Sequence, residues 1–403
     1  MRNQWITFEL SNIICRERPI TYGIVQPGDF VKSGVPMIRS GDYSEGWVPP
    51  SEIMHVSNEI ARPYQRSRVR AGDILMTVVG ANTGTVVRVP EHLDRANISR
   101  ASARLAVDAN IVCPDYVEQF MKSALWKKQI YGALKAGAQP VVHLSDLGRF
   151  KLHAPEALIE QHKIAEILQT WDEAIDDYER LIDRLEKRFR ATARRFFDPC
   201  HPTFHRRPNS WKECELGDVF AERTDSGEAD DRLLSITMSG GVIDRDDVGR
   251  KDTSTEDKSS YKLILPGDIG YNTMRMWQGV SGLSTLRGIV SPAYTIVTPD
   301  NTNIAAKYAA HLFKSRRMVF DFERYSQGLT SDTWNLKFPA FSKIKVFLPP
   351  IALQHNQAEL LDAMKEEIEV VQRKRDALSD QKRGLMQKLL TGEWRVPVDE
   401  ATS

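Results

Sequence analysis

Four landmarks recur in the same order in the two halves of the chain. Trp5 with Glu9-Leu10 answers Trp211 with Glu215-Leu216, and Gly72-Asp73-Ile74 answers Gly267-Asp268-Ile269. Lys122-Ser123 answers Lys314-Ser315, and Gln161-His162 with Ala165-Glu166 answers Gln354-His355 with Ala358-Glu359. The members of each pair stand about two hundred residues apart, a spacing too regular for chance and long enough for a domain per repeat. A chain of 403 residues therefore reads as two similar halves. Two similar halves offer two similar surfaces, which suits a ligand with two sites.

An apolar content of 41% and a charged content of 27% describe an ordinary soluble chain. No run approaches the ~18 apolar residues of a membrane span, so no membrane partner is expected. Met1 to Thr21 lacks the charged start, apolar core and cleavage site of a secretory signal. Cys15, Cys113, Cys200 and Cys214 are too scattered for a disulfide framework, which points to the cytoplasm. Cys200, His201, His205 and Cys214 cluster, but their spacing fits no ordinary zinc pattern, and Pro202 and Pro208 mark a linker. No metal site is expected. The net charge is only +1, yet residues 14–155 carry a modest excess of Lys and Arg. That excess is compatible with phosphate contact and does not establish it.

Each Gln-His pair opens a long helical stretch. Apolar residues run Ile164, Leu168, Trp171, Ile175, Tyr178, Ile182, Leu185, Phe189 and on to Phe196, in steps of four and three broken at Thr192. That is a coiled-coil seam, bounded by Pro155 and Asp198-Pro199. The second seam runs Leu361, Met364, Ile368, Val371, Leu378, Leu385 and Leu389, interrupted by Arg375 and Lys382, with Gly392 as the C-cap. Both stretches are acidic in their first half and basic in their second. Antiparallel pairing sets each acidic half against the other's basic half, so an antiparallel pair is expected. The alternative is two separate amphipathic helices, each lying on its own domain.

Residues 1–155 and 199–349 read as mixed α+β. β-rich runs such as 74–79 and 293–297 lie between Gly, Pro and Asp turns. Leu265-Pro266-Gly267-Asp268 has the Pro and Gly placement of a type II turn. One amphipathic helix per half is expected, over Tyr116–Lys128 and Ile304–Phe320. After each Gly-Asp-Ile strand comes a polar loop, with Asn82 and Thr83 in the first half and Asn272, Thr273, Arg275, Trp277 and Gln278 in the second. Arg, Asn and Gln are the side chains that read base edges bidentately. Trp277 beside them is either part of a binding surface or a core residue. Gly137-Ala138-Gln139-Pro140 and Ser326-Gln327-Gly328-Leu329-Thr330 form either a second reading loop or a simple turn. Gln139, Gln327 and Thr330 are its candidate contacts.

Catalytic machinery is missing from the sequence. There is no Gly-rich loop ending in Gly-Lys-Ser/Thr and no Gly-x-Gly-x-x-Gly. Nor is there an Asn/Asp-Pro-Pro-Tyr/Phe, a paired-His metal motif or a nucleophile elbow. His162 and His355 recur, but with no second ligand nearby in sequence they read as helix-start packing residues.

Two variable α+β domains, each followed by a long helix opening with Gln-His and Ala-Glu, resemble the specificity subunits of type I restriction–modification systems. The C-terminal run Gln381–Gly392 is the most family-like segment, and 271–279 with 291–294 is similar to target-recognition domains of that family. The resemblance implies two target-recognition domains, 1–155 and 199–349, separated by antiparallel coiled-coil helices at 156–198 and 350–394, with a tail at 395–403. It implies a non-catalytic reader of a bipartite duplex DNA target. The helix seam, represented by Leu168, Trp171, Ile175, Ile182, Leu361, Met364, Ile368 and Val371, would dock two methyltransferase subunits. Restriction–translocase subunits would complete the complex, and S-adenosylmethionine, ATP and Mg2+ would belong to those partners. The first half lacks a counterpart of Arg275-Met276-Trp277-Gln278, so the two domains are expected to read different half-sites. A methyltransferase fused to recognition domains would need a cofactor loop that is not seen, and a coiled-coil scaffold would need no reading loops.

Overall fold

The computed structural model describes residues 4–134, 140–198, 209–228, 230–238, 240–248, 260–330 and 333–397. Gln139, Cys200, His201 and His205 lie outside the described residues. The chain forms two compact units. Unit 1 combines Met1–Tyr178 with Lys374–Ser403, and unit 2 is Glu179–Arg373.

In unit 1, strand β1 (Trp5–Glu9) pairs antiparallel with β6 (Lys151–Pro155), tying the start of the chain to the strand before the first long helix. A four-stranded antiparallel sheet follows from β2 (Thr21–Tyr22), β3 (Ile74–Thr77), β4 (Val86–Arg88) and β5 (Ser102–Leu105), in the order β2-β5-β3-β4. Strand β3 is buried on both faces, as its unbroken apolar run requires. A smaller sheet, with Val35–Ile38 between Met54–Val56 and Asn97–Ile98, completes the unit.

Unit 2 repeats the plan. Strands β7 (Lys212–Glu215) and β12 (Lys345–Leu348) pair as β1 and β6 do. Strands β8 (Phe220–Glu222), β9 (Ile269–Asn272), β10 (Ser281–Leu283) and β11 (Tyr294–Pro299) form an antiparallel sheet in the order β8-β11-β9-β10. Ile74 faces Leu105 in one sheet and Ile269 faces Val297 in the other. The repeated Gly-Asp-Ile thus opens the same central strand in each half. Two further antiparallel pairs, 234–237 with 241–244 and 262–264 with 288–290, replace the three-stranded sheet of unit 1.

Each expected amphipathic helix is two helices. In unit 1 these are α1 (Pro114–Lys122) and α2 (Ala124–Ala133), and in unit 2 α4 (Ala306–Leu312) and α5 (Arg316–Tyr325). The recurring serine explains the break. Ser123 and Ser315 are both extended in backbone, and their hydroxyls accept from the Trp126 and Met318 N–H groups as N-caps of α2 and α5. The long helices are α3 (Leu158–Phe197) and α6 (Ile351–Leu390), each of 40 residues and so about 60 Å long. Gly392, at φ +75°, closes α6 as a left-handed C-cap.

Both helices serve both units, and within each unit they run antiparallel. In unit 1 Glu160 near the start of α3 binds Arg395 just beyond α6, while Asp172 further along α3 binds Lys382. Ile164 and Leu168 share the unit's main core with Met386, Leu389 and Leu390. In unit 2 the end of α3, at Phe197, shares a core with Ala358 and Leu361 from the start of α6. This arrangement sets the acidic first half of each helix against the basic second half of the other.

Candidate nucleic-acid interface

The platform beneath each loop is the same. Asp73 and Asp268 follow glycines at φ +86° and +95°, in turns closed by Asp73 N–H to Arg70 O and Asp268 N–H to Leu265 O, both 3.0 Å. At 265–268 this is the geometry of a type II turn. Each carboxylate also accepts the backbone N–H three residues back, at 2.7 Å from Arg70 and 2.8 Å from Leu265. Each is held by an arginine from the strand region upstream: Arg18 at 2.8 Å on Asp73, and Arg223 at 2.7 and 3.1 Å on Asp268. Both carboxylates are buried. Paired and hydrogen-bonded, they anchor the start of β3 and β9 at fixed positions.

The helix starts are anchored alike. Gln161 Oε1 accepts from Cys113 N–H at 2.8 Å, and its Nε2 donates to Pro155 O at 2.7 Å. Gln354 Oε1 accepts from Ala305 N–H at 3.0 Å, and its Nε2 donates to Pro349 O and Asn303 O. Both glutamines are fully buried. The packing role expected of His162 and His355 belongs instead to these glutamines, since both histidines are exposed. Nor is His162 without neighbours. The fold brings Cys113 and Asp115 so close that possible ligand atoms of the three lie within 4.8 Å of one another. Cys113 Sγ and His162 Nδ1 are already in hydrogen-bond contact at 3.2 Å, and Asp115 is ion-paired with Arg88 at 2.9 Å. Burial pushes the Cys113 thiol up. Long-range folding assembled this group, and residue spacing could not reveal it.

In unit 1 the polar loop joins β3 to β4. Asn82 is exposed, and Thr83 is half-buried, its hydroxyl donating to Gly80 O at 2.6 Å. Gly80 N–H donates to Pro140 O, and Val79 bridges Val141, so the segment that follows 137–139 docks on this loop. In unit 2 the loop joins β9 to β10. Asn272 Oδ1 accepts from Met274 N–H at 3.0 Å, Arg275 and Gln278 are exposed, and Met276 is buried beneath them. Trp277 falls between its two readings. It is half-buried, its Nε1 donates to Met274 O, and its ring meets Trp334 edge-on at 5.4 Å. Trp334 belongs to a hairpin in which Gln327 pairs with Asn335, and Leu336 N–H donates to Thr273 O. Gln327 and Thr330 are exposed there, and Leu329 beside them is wholly exposed. The structure thus brings Asn272, Arg275, Trp277, Gln278 and the hairpin of Gln327 and Thr330 into one neighbourhood. Trp334 is a further member of this neighbourhood, and an aromatic among polar turn residues is the sequence signal that marks it.

Lys314 braces the unit 2 loop from behind. Its Nζ donates to Gly279 O at 2.9 Å and Met238 O at 3.1 Å. Desolvation by burial, with repulsion from Lys365, pulls its pKa down to about 8. In unit 1 the matching Lys122 is paired instead with Glu118 at 2.7 Å.

The helix residues merge with the domain cores. Leu168 and Leu361 are fully buried within the main clusters of units 1 and 2, so they are domain core as much as helix seam. Ile182, Met364 and Ile368 are buried, while Trp171, Ile175 and Val371 are half-buried. In unit 2 Asp362 on α6 also receives His311 Nε2 at 2.7 Å and Lys307 Nζ at 3.0 Å from α4. Among the described residues, no helix is long and apolar enough to cross a membrane.

No protein-family model matches the chain. It is 36% identical over 160 residues to the type I restriction enzyme EcoBI specificity subunit of Escherichia coli, a match spanning 40% of this chain and 33% of that protein. It is 22% identical to the type I restriction enzyme MjaVIII specificity subunit of Methanocaldococcus jannaschii, over 94% of each. In fold it resembles the S subunit of a type I restriction–modification system from M. genitalium, with a TM-score of 0.59, 14% identity and coverage of 99% and 98%. It also resembles a chain solved to explain complex assembly and conformational transition of the type I R-M system, with a TM-score of 0.56, 12% identity and coverage of 97% and 98%. The sequence relatives and the shared duplicated fold agree: the chain is similar to specificity subunits of type I restriction–modification systems, matching one in part of its length and others along nearly all of it.

Proposed function

We propose that the protein is the DNA-reading, non-catalytic subunit of a type I restriction–modification complex, with each unit reading one half of a split duplex target. The observation that carries this reading is the duplicated loop platform. In each half, a half-buried arginine paired with a buried aspartate fixes a central strand whose far end opens into an exposed polar loop. Such a loop held on rigid elements can present amide and guanidinium groups to base edges in a major groove. Asn82 and Thr83, with Gln139, serve one half-site. Asn272, Arg275, Trp277, Gln278, Gln327 and Thr330 serve the other. The recognition domains span 1–155 and 199–349, and the helices at 156–198 and 350–394 space them. Those helices dock two methyltransferase subunits, and restriction–translocase subunits complete the assembly in the cytoplasm. Adenine methylation, translocation and cleavage, with S-adenosylmethionine, ATP and Mg2+, reside in the partners.

Methylome sequencing of the host with and without this chain tests the reading. A bipartite methylated motif that disappears with the chain, and changes in one half only with Arg275→Ala, is the expected result. A methylome indifferent to the chain would overturn it.

A further inference from the structure

We infer that the outward faces of α2 and α5 hold the sugar–phosphate backbone beside the reading loops. Lys127, Lys128 and Tyr131 act in unit 1, and Arg316, Phe320 and Arg324 in unit 2. The inference rests on the DNA-reading assignment and adds the surface that supplies charge to it.

Helix and loop form one surface in each half. In unit 1 an open groove is lined by Asn82, Thr83 and Gly84 on the loop side and by Lys127, Ile130 and Tyr131 on the helix side. A glycine at positive φ makes the approach possible twice. A Cβ on Gly84 would stand 3.0 Å from Ile130 Cδ1 of α2, and one on Gly279 would stand 3.0 Å from Val319 Cγ2 of α5. Each helix is therefore seated directly against its loop.

The outward faces carry exposed cations and rings that the fold uses little. Lys127, Lys128 and Tyr131 share one side of α2, and Tyr131 is 72% exposed. Among the described residues neither lysine has an ion-pair partner, in contrast to Lys122 on Glu118. On α5, Arg316, Phe320 and Arg324 stand four residues apart in a single stripe, and Phe320 is 52% exposed. Arg324 lies over the Phe320 ring at 5.8 Å and makes a long 3.8 Å contact with Asp321, whose nearer partner is Arg317 at 2.9 Å. The adjacent Lys127 and Lys128 repel one another, and a polyanion alongside relieves that repulsion while releasing its own counterions. Lysine and tyrosine are suited to phosphate contact, which positions a protein on the duplex without reading sequence. Cations and an exposed ring recur beside the loop in both halves although the residues themselves differ. Such a pattern fits a ligand whose backbone is uniform and whose bases differ between the half-sites.

The test is the salt dependence of binding by the full chain to a duplex carrying its selected target, read by fluorescence anisotropy from about 50 to about 200 mM salt. The double variant Lys127→Ala/Lys128→Ala should lower the slope of log K against log salt by about 2, with the selected sequence unchanged. Lys127→Arg/Lys128→Arg should restore the slope, and Arg316→Ala/Arg324→Ala should lower it likewise. These side chains are exposed, so the melting temperatures should match wild type. An unaltered slope, in variants that still select the wild-type sequence, overturns the inference and leaves the reading assignment standing. A wild-type chain that selects no sequence overturns the reading assignment and this inference with it.

Discussion

The ammonium of Lys382, on α6, donates to one carboxylate oxygen of Asp172, on α3, and Gln119 Nε2 donates to the other at 2.8 Å. In sequence Lys382 interrupts an apolar seam. In the fold it is buried, and burial lowers its pKa while Asp172 acts in the opposite direction. The interruption therefore sets register, because only one alignment of the two helices in unit 1 brings this lysine to this carboxylate.

Removing the lysine should leave Asp172 with Gln119 alone. Lys382→Met is expected to cost about 1.5–3 kcal/mol, the range for hydrogen bonds to charged groups. The lower part of that range is favoured because the Asp172 side chain is 35% exposed. Lys382→Met with Asp172→Leu should recover part of the loss, since an apolar pair leaves no orphaned charge. Urea unfolding of the three proteins measures this. A double variant less stable than Lys382→Met would refute the account.

The recurring Gln-His pair makes a sharper contrast. Gln354→Ala leaves Ala305 N–H and Pro349 O without their side-chain partner in a buried place, at about 1–3 kcal/mol per unsatisfied group. Gln161→Ala should behave alike. His355→Ala, at an exposed position, should stay within about 0.5 kcal/mol. Denaturant midpoints decide the matter, and equal effects at Gln354 and His355 would show that the glutamine clamp is not what the repeat preserves.

Gly279 couples the unit 2 loop to α5. At φ +80° an alanine is strained by about 1–2 kcal/mol, and its methyl would press on Val319. Gly279→Ala should destabilise unit 2 modestly and shift Arg275 and Gln278, loosening base preference in one half-site only. Binding-site selection with the variant reads this directly. Loosening in both half-sites would contradict a one-unit, one-half-site division.

Much of this fold is legible in the sequence because its signals are local or repeated. The type II turn at 265–268, the Gly392 cap, the central strands and the two long helices each follow from turn chemistry or periodicity. Charge placement along the helices also shows their antiparallel sense, because both run from an acid-rich first half to a base-rich second half and only antiparallel pairing sets acid against base. The break at Ser123 and Ser315 is hidden, since an amphipathic pattern runs through a capping serine without losing phase. The meaning of Lys382 is hidden too, because a buried cation is intelligible only with its distant carboxylate. Of the candidate interface, Asn82, Arg275 and Gln278 are visible as polar residues after a strand. The role of Trp334 and the seating of α2 and α5 beside the loops depend on contacts between segments far apart in sequence.

The central claim, that two units read two half-sites at a spacing set by the helices, is tested most directly by lengthening both helices together. Unit boundaries cross α3 after Tyr178 and α6 after Arg373, so one heptad inserted at each point keeps the apolar register. Seven residues add about 10 Å of helix, or roughly three base pairs at ~3.4 Å per step. Methylome sequencing of a host carrying the lengthened protein should return both original half-sites with a gap longer by about three pairs, or no methylation if the added twist of the duplex forbids simultaneous contact. Continued methylation of the wild-type motif with its gap unchanged would contradict the claim.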